Sequence, residues 1–443
     1  AAAATATSAM WPRQLFVAHG ASHVSVAALT DGRTWVVTWC DNGLGYEQTP
    51  QPVKGRLLAD VVDNVAARTV DFTVSSGREM EYCMGSSVAA LATGGFAVAW
   101  NVVLQGAPDG VRSVWAQRFD AHGQPLGDAT LVTSGNRPRQ PRIAVLRDDS
   151  IAVVYRTGQA QFAVRRFSAT LEPLTAAQQT FSGTSDDATA VLSVVPLASS
   201  GFAVAGNNCL NVFDGAAAAP PRCCALPMGG NAAATLVGSD VAVVGRPTTR
   251  SLAVLVLEPS SCRIRYRHDL GAYSSDYAVA VAAVASGGFT VAWIPYAPRE
   301  VVWLSARAYA PQGDTFDAAP TTVTVNVKLA TPGTSVNMAA FGEEVAVVWL
   351  GPGGVASMRI GEHGVEFGDN AHGERCVPYA RIEPFGEQSG SGYGWLANDA
   401  RPGLLPGNAW QWAESKHVAP DAVRVRTTNS MNAGTPRVRQ KKI

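Results

Sequence analysis

Charge is scarce in this sequence. Asp, Glu, Lys and Arg make up 16% of 443 residues, and 35 cations balance 35 anions to a formal net charge of zero. Typical soluble domains carry about 25% charged residues, so a helical bundle laced with ion pairs is excluded. A neutral chain has no whole-molecule field with which to hold nucleic acid, an anionic membrane or another polyanion. Apolar residues reach 47%, which also excludes a disordered, solvating chain. Unbroken apolar runs are missing. The two uncharged stretches long enough to test as membrane spans, residues 188 to 213 and 277 to 298, are interrupted by Ser199-Ser200-Gly201 and Ser286-Gly287-Gly288, so no membrane-spanning segment is expected. No phosphate-cradling loop, nucleophile elbow, dinucleotide fingerprint or N-glycosylation sequon occurs. The first residue is Ala and the first Met is Met10. That suggests a processed precursor of the kind a cleaved signal peptide leaves.

What the chain does contain is repetition. An apolar strand, a short turn of Gly, Asp, Ser or Glu, and a five-residue strand with Val at its centre recur seven times, at residues 35–39, 96–100, 151–155, 202–206, 241–245, 289–293 and 345–349. The invariant centres are Val37, Val98, Val153, Val204, Val243, Val291 and Val347. Unequal steps between copies suit units whose outer loops differ, not the fixed rung of a solenoid. In the second copy a third strand, residues 111–120, ends in a turn at Gly123, and residues 129–133 form a fourth. Four antiparallel strands per unit and seven units predict an all-β fold, a seven-bladed β-propeller. Its expected extent is residues 21–385, between an N-terminal segment, 1–20, and an irregular basic tail, 386–443.

The second copy also carries a resemblance. Gly94-Gly95-Phe96-Ala97-Val98-Ala99-Trp100, then Asp109-Gly110, Ala116-Gln117-Arg118-Phe119-Asp120 and Gly123-Gln124-Pro125-Leu126-Gly127, is similar to the repeat of large bacterial secreted adhesin-like and haemolysin-like proteins. Residues 87 to 133 match best, and the other copies share mainly the hairpin. The resemblance implies a surface or adhesive module. It carries no catalytic residues, and the Gly-Gly-x-Gly-x-Asp calcium nonapeptides that often accompany such repeats are missing here.

Candidate chemistry follows from the expected blade geometry. First-to-second and third-to-fourth turns share one face, and the longer loops share the other. That second face and its margins bring Tyr46, Arg78, Tyr82, Arg137, Arg139, Tyr273, Tyr277, Tyr296 and Arg299 together, an aromatic and arginine mixture suited to recognition of a ligand or partner. Asp31-Gly32-Arg33-Thr34-Trp35 is similar to the Asp-box of sialidase-like propellers, but it lacks one residue between Asp and Gly and falls in the wrong turn. His19 with His23, and His363 with His372, lack a third ligand at usable spacing, so no metal or cofactor is expected. Asp186-Asp187 and Glu343-Glu344 sit at turns, where acids cap the backbone.

Seven cysteines leave at least one unpaired within the chain. Cys40 and Cys83 project to the same face and are expected to bridge. Cys209 and Cys224 are the further candidates, with a bond inside the fourth unit involving Cys209. Beyond Asp421 no acid remains, while Arg424, Arg426, Arg437, Arg439, Lys441 and Lys442 accumulate. The expectation is a non-catalytic binding or structural subunit of a secreted or surface assembly. Its partners would be other protein subunits or copies of itself. A glycan-binding lectin is the first alternative and a sialidase-like hydrolase the second.

Overall fold

The computed structural model of the chain describes residues 21–41, 52–59, 69–75, 81–104, 111–135, 138–158, 161–175, 178–182, 193–199, 201–206, 208–215, 220–248, 251–272, 279–294, 302–312, 315–318, 321–327, 336–351, 354–361, 364–367 and 380–384. The tail, the N-terminal segment and most of the long-loop face lie outside them. Every regular element described is a β-strand, and the strands form seven antiparallel sheets in chain order. Sheet one is Ala21–Ala28, Thr34–Asp41, Val53–Ala59 and Thr69–Ser75; sheet two is Glu81–Ala90, Phe96–Leu104, Arg112–Phe119 and Thr130–Gly135. Sheet three is Arg139–Val145, Ile151–Arg156, Gln161–Phe167 and Gln179–Ser182; sheet four is Ser193–Pro196, Phe202–Gly206, Cys209–Phe213 and Arg222–Ala225. Sheet five is Gly229–Val237, Asp240–Thr248, Ser251–Glu258 and Arg263–Ala272; sheet seven is Val336–Phe341, Glu344–Gly351, Gly354–Gly361 and Gly364–Phe367.

Sheet six corrects the expectation of four strands in every unit. Its first three strands are Val279–Ala283, Phe289–Trp293 and Val302–Gln312. The third has 11 residues, enough to pair with two short strands in succession, Thr315–Ala318 at one end and Thr321–Val327 at the other. The outer edge of Thr321–Val327 then receives Ala380–Pro384, which returns from beyond sheet seven. An uncovered edge strand is an invitation to pair, and here the chain covers it itself.

The sheets stand in a ring. The first strand of each packs against the first strand of the next, and that of sheet seven meets that of sheet one. Seven apolar clusters fill the seven spaces between consecutive sheets, the last lying between sheets seven and one. The invariant valines show how one strand serves two spaces, because successive side chains of a strand point to opposite faces. Val98 packs against sheet one while Ala97 and Ala99 pack against sheet three. Val243 likewise meets sheet four while Ala242 and Val244 meet sheet six. All seven centres are fully buried, and each faces the preceding sheet.

The glycine before the second strand has a steric origin. A Cβ on Gly95, whose φ is +76°, would lie 2.3 Å from the Phe119 carbonyl oxygen, and one on Gly288 would lie 2.3 Å from that of Tyr309. This close approach lets Phe96 stack on Phe119 at 5.1 Å and Phe289 on Tyr309 at 4.6 Å. Small polar groups stitch the inner strands together. Val88 N donates to Ser25 Oγ and Ile143 N to Ser87 Oγ, both at 3.2 Å. At the ring's seam Asn337 Nδ2 donates to the Val24 carbonyl at 2.5 Å, and the Phe341 ring occupies the space a Cβ on Gly32 would need.

Three disulfides cross-link the chain. Cys40 bonds Cys83, joining sheets one and two with a Cα separation of 5.5 Å. Cys209 bonds Cys223 within sheet four, and Cys224 bonds Cys262 of sheet five. Cys224 therefore does not serve the fourth unit internally. Cys223 stands opposite Asn211, on the same face as Cys209, whereas Cys224 points the other way into the core shared with sheet five.

Candidate functional site

Of the nine residues expected on the long-loop face, Tyr46, Arg78, Arg137, Tyr273, Tyr277, Tyr296 and Arg299 lie outside the described residues. Tyr82 is in the first strand of sheet two, opposite Val103. Arg139 opens the first strand of sheet three, opposite Arg156. Arg156 is fully buried; its Nε donates to the Gly158 carbonyl at 2.7 Å, and its guanidinium lies 6.0 Å from the Phe162 centroid.

Near these strand ends the inner edges of sheets one to three gather a polar group. Arg142 is half-buried, and burial pulls its pKa down to about 10. His23 keeps some solvent-facing surface, yet surrounding protein, and secondarily the positive charge of Arg142, pulls its pKa down to about 4. It is a neutral imidazole at physiological pH. Asn101 is fully buried, and neither amide atom of its side chain has a hydrogen-bond partner. Gly85 opposite makes room for it, since a Cβ there would lie 3.2 Å from Asn101 Oδ1.

A second polar site lies between sheets two and three. Leu131, Val132, Thr133, Ser134, Arg165 and Gln178 line a groove of about 320 Å³. Arg165 reaches into it from the third strand of sheet three, where it stands opposite Val153. Its Nη1 donates to the Val132 carbonyl at 2.7 Å, and the guanidinium lies 5.5 Å from the Phe167 centroid. Buried Tyr155 hydrogen-bonds two of the lining residues. Its hydroxyl donates to Gln178 Oε1 and accepts from Thr133. Burial raises the Tyr155 pKa, against smaller opposing effects of Thr133 and Arg165, so the phenol stays a proton donor.

Sequence reasoning did not reach this groove, because its residues come from separate sheets and form no motif. One signal was present. The third-strand partners of the invariant valines include Arg56, Gln117, Arg165 and Arg307, polar groups at an equivalent repeat position facing the preceding sheet.

Other candidate acids and histidines do structural work. Asp31 Oδ1 accepts from Arg33 N and Thr34 N at 3.0 and 2.9 Å, and Oδ2 accepts from Thr34 Oγ1 at 2.5 Å; these hydrogen bonds outweigh burial and lower its pKa. Glu343 reaches from sheet seven to the turn of sheet six, accepting from Ser286 N at 2.5 Å and Ser286 Oγ at 2.8 Å. His268 is wedged between Arg307 and Tyr266, each at 3.4 Å. Burial and then Arg307 lower its pKa. His19, His363, His372 and Asp186-Asp187 lie outside the described residues. Among the described residues no three His, Cys, Asp or Glu side chains come together as a metal site, and no helix is long and apolar enough to cross a membrane.

No protein-family model and no curated relative matches the chain. Solved structures resemble it distantly. The NanB sialidase of Streptococcus pneumoniae is 8% identical over 76% of this chain and 67% of that one, with a TM-score of 0.46. AofleA of Arthrobotrys oligospora is 13% identical over 66% and 91%, with a TM-score of 0.41. The Aleuria aurantia lectin in complex with alpha-methyl-L-fucoside is 12% identical over 79% and 95%, with a TM-score of 0.40. Likenesses this distant carry no argument about what this chain binds or does.

Proposed function

We propose that the chain is a seven-bladed β-propeller, each sheet one blade, acting outside the reducing cytoplasm as a non-catalytic binding or structural subunit of a larger assembly. The observation that carries this reading is covalent: two of the three disulfides join neighbouring sheets, Cys40–Cys83 and Cys224–Cys262. Such bonds persist in oxidising compartments and are rare where thiols are kept reduced. The likeness of residues 87 to 133 to the repeat of secreted adhesin-like proteins fits the same setting. The described acids and histidines support a non-catalytic role, since Asp31, Glu343 and His268 are each engaged in holding turns or neighbouring sheets.

Assembly is assigned to the tail. After Asp421 the chain carries six cations and no acid, a local positive charge that acidic or carbonyl groups of an adjacent subunit would offset. Sedimentation of the non-reduced protein with and without these residues tests this. The full chain is expected to form higher-order species, and the shortened chain to remain a folded monomer. A full chain that stays monomeric at every concentration and enters no larger species in its native extract refutes the assembly role, and a positive glycan array would then favour the lectin.

A further inference from the structure

We infer that the groove between sheets two and three binds the carboxylate of a sugar acid through Arg165. The inference does not depend on assembly, since a monomer can bind such a ligand. Its first support is the state of the guanidinium. Arg165 spends Nη1 on the Val132 carbonyl, Phe167 supports its plane, and Nε is buried without a hydrogen-bond partner. Nη2 is left for the groove, a charged donor from which a carboxylate oxygen can accept.

The rest of the groove favours an acceptor-rich ligand. None of its lining residues is acidic, and Arg165 makes no ion pair among the described residues. Because Gln178 Oε1 accepts the Tyr155 hydroxyl, the side-chain amide is oriented with its two N–H donors away from that contact. Ser134 adds an exposed hydroxyl. Donors beside a cation suit a carboxylate flanked by sugar hydroxyls. The volume of about 320 Å³ is at the small end for ligand sites and admits one monosaccharide unit.

Equivalent positions elsewhere in the ring are already occupied by the protein. Arg56 pairs with Asp71, Gln117 donates to the Gly127 carbonyl at 3.0 Å, and Arg307 meets His268. At sheet three a guanidinium faces an open groove without an acid.

Calorimetric titration of the full chain with D-glucuronate, D-glucose and acetate tests the inference. Glucuronate is expected to bind at least about tenfold more tightly than either other probe, and Arg165→Gln to cost at least about tenfold in glucuronate affinity. Arg165→Lys should recover only part of it, since an ammonium keeps the charge but loses the planar guanidinium that Val132 and Phe167 hold in place. Gln178 is exposed, so Gln178→Glu should fold normally and weaken glucuronate binding by repulsion even if Arg165→Gln proves unstable. A glucuronate disaccharide binding more tightly than the monosaccharide assigns the ligand to a glycan chain, and equal binding assigns it to the free acid. Glucuronate binding no tighter than glucose or acetate, or full affinity in a folded Arg165→Gln or in Gln178→Glu, overturns the inference.

Discussion

Replacing Val98 by Ala separates the two spaces that one strand serves. Val98 is fully buried in the cluster shared with sheet one, beside Val36, Leu57, Phe72 and Val88. Losing two methyl groups forfeits about 1.5 kcal/mol of transfer free energy at about 0.8 kcal/mol per group. The unfilled space adds more, so a total of about 2–3 kcal/mol is expected, between the ranges for Ile→Val and Leu→Ala. Chemical denaturation of the single and double variants supplies the decisive comparison. Leu57→Ala, in sheet one, should couple to Val98→Ala by roughly 0.5 kcal/mol or more, because both line one space. Ile143→Ala lies in the cluster between sheets two and three and should be additive within about 0.5 kcal/mol. Coupling to Ile143 without coupling to Leu57 would mean that the invariant valines face the following sheet, and the packing scheme would be wrong.

Adjacent glycines should differ: Gly94→Ala, with nothing within 4 Å of its Cβ, should cost only the left-handed backbone strain of about 1–2 kcal/mol, whereas Gly95→Ala drives a Cβ against a backbone carbonyl and should lower the melting temperature further. Equal melting temperatures would refute the close-approach account. Removing the Cys40–Cys83 bond by a double Ser substitution releases a loop of 43 residues and should cost about 4 kcal/mol by loop-closure entropy, read by denaturation against the oxidised parent; no loss would mean the unfolded chain is not constrained there. His23 and His268 both have folded pKa values below the ordinary imidazole value. The unfolded chain therefore binds more protons, and stability should fall as pH drops from about 6.5 towards about 4. Replacing both histidines by Gln should flatten that window in a pH series of melting curves, and an unchanged slope would assign it elsewhere.

The second strands were legible in the sequence because every one is a near-continuous apolar run bounded by turn chemistry, and burial of Val37, Val98, Val153, Val204, Val243, Val291 and Val347 follows from that pattern. The turns were legible for a related reason: Asp31, Asp120 and Asp148 each accept backbone N–H groups two residues on, which is local chemistry. Sheet six was not, because Thr321–Val327 and Ala380–Pro384 pair across more than fifty residues and neither carries the hairpin signature. The groove escaped for the same reason. Arg165 and Val132 are 33 residues apart, and only the packing of one sheet on the next makes them neighbours.

Disulfide placement follows the aromatic content of the second strands. At the fifth residue of the second strand, sheets one, two, three, six and seven carry Trp39, Trp100, Tyr155, Trp293 and Trp349, all buried. Sheets four and five carry Gly206 and Gly245 instead. Burying one aromatic ring removes about 150–250 Å² from water, worth roughly 4–6 kcal/mol at about 25 cal/mol per Å². Sheet four is also built of strands only four or five residues long. Two of the three disulfides fall in this part of the ring, closing loops of 14 and 38 residues for about 3 and 4 kcal/mol in the chain-entropy model. Those magnitudes are comparable to the missing rings. The adjacent pair Cys223-Cys224 serves both needs because neighbouring residues of a strand face opposite ways: Cys223 ties sheet four to itself, and Cys224 ties it to sheet five. Two covalent bonds thus fall where the second strands lack a closing aromatic ring, and the third, Cys40–Cys83, joins sheets one and two.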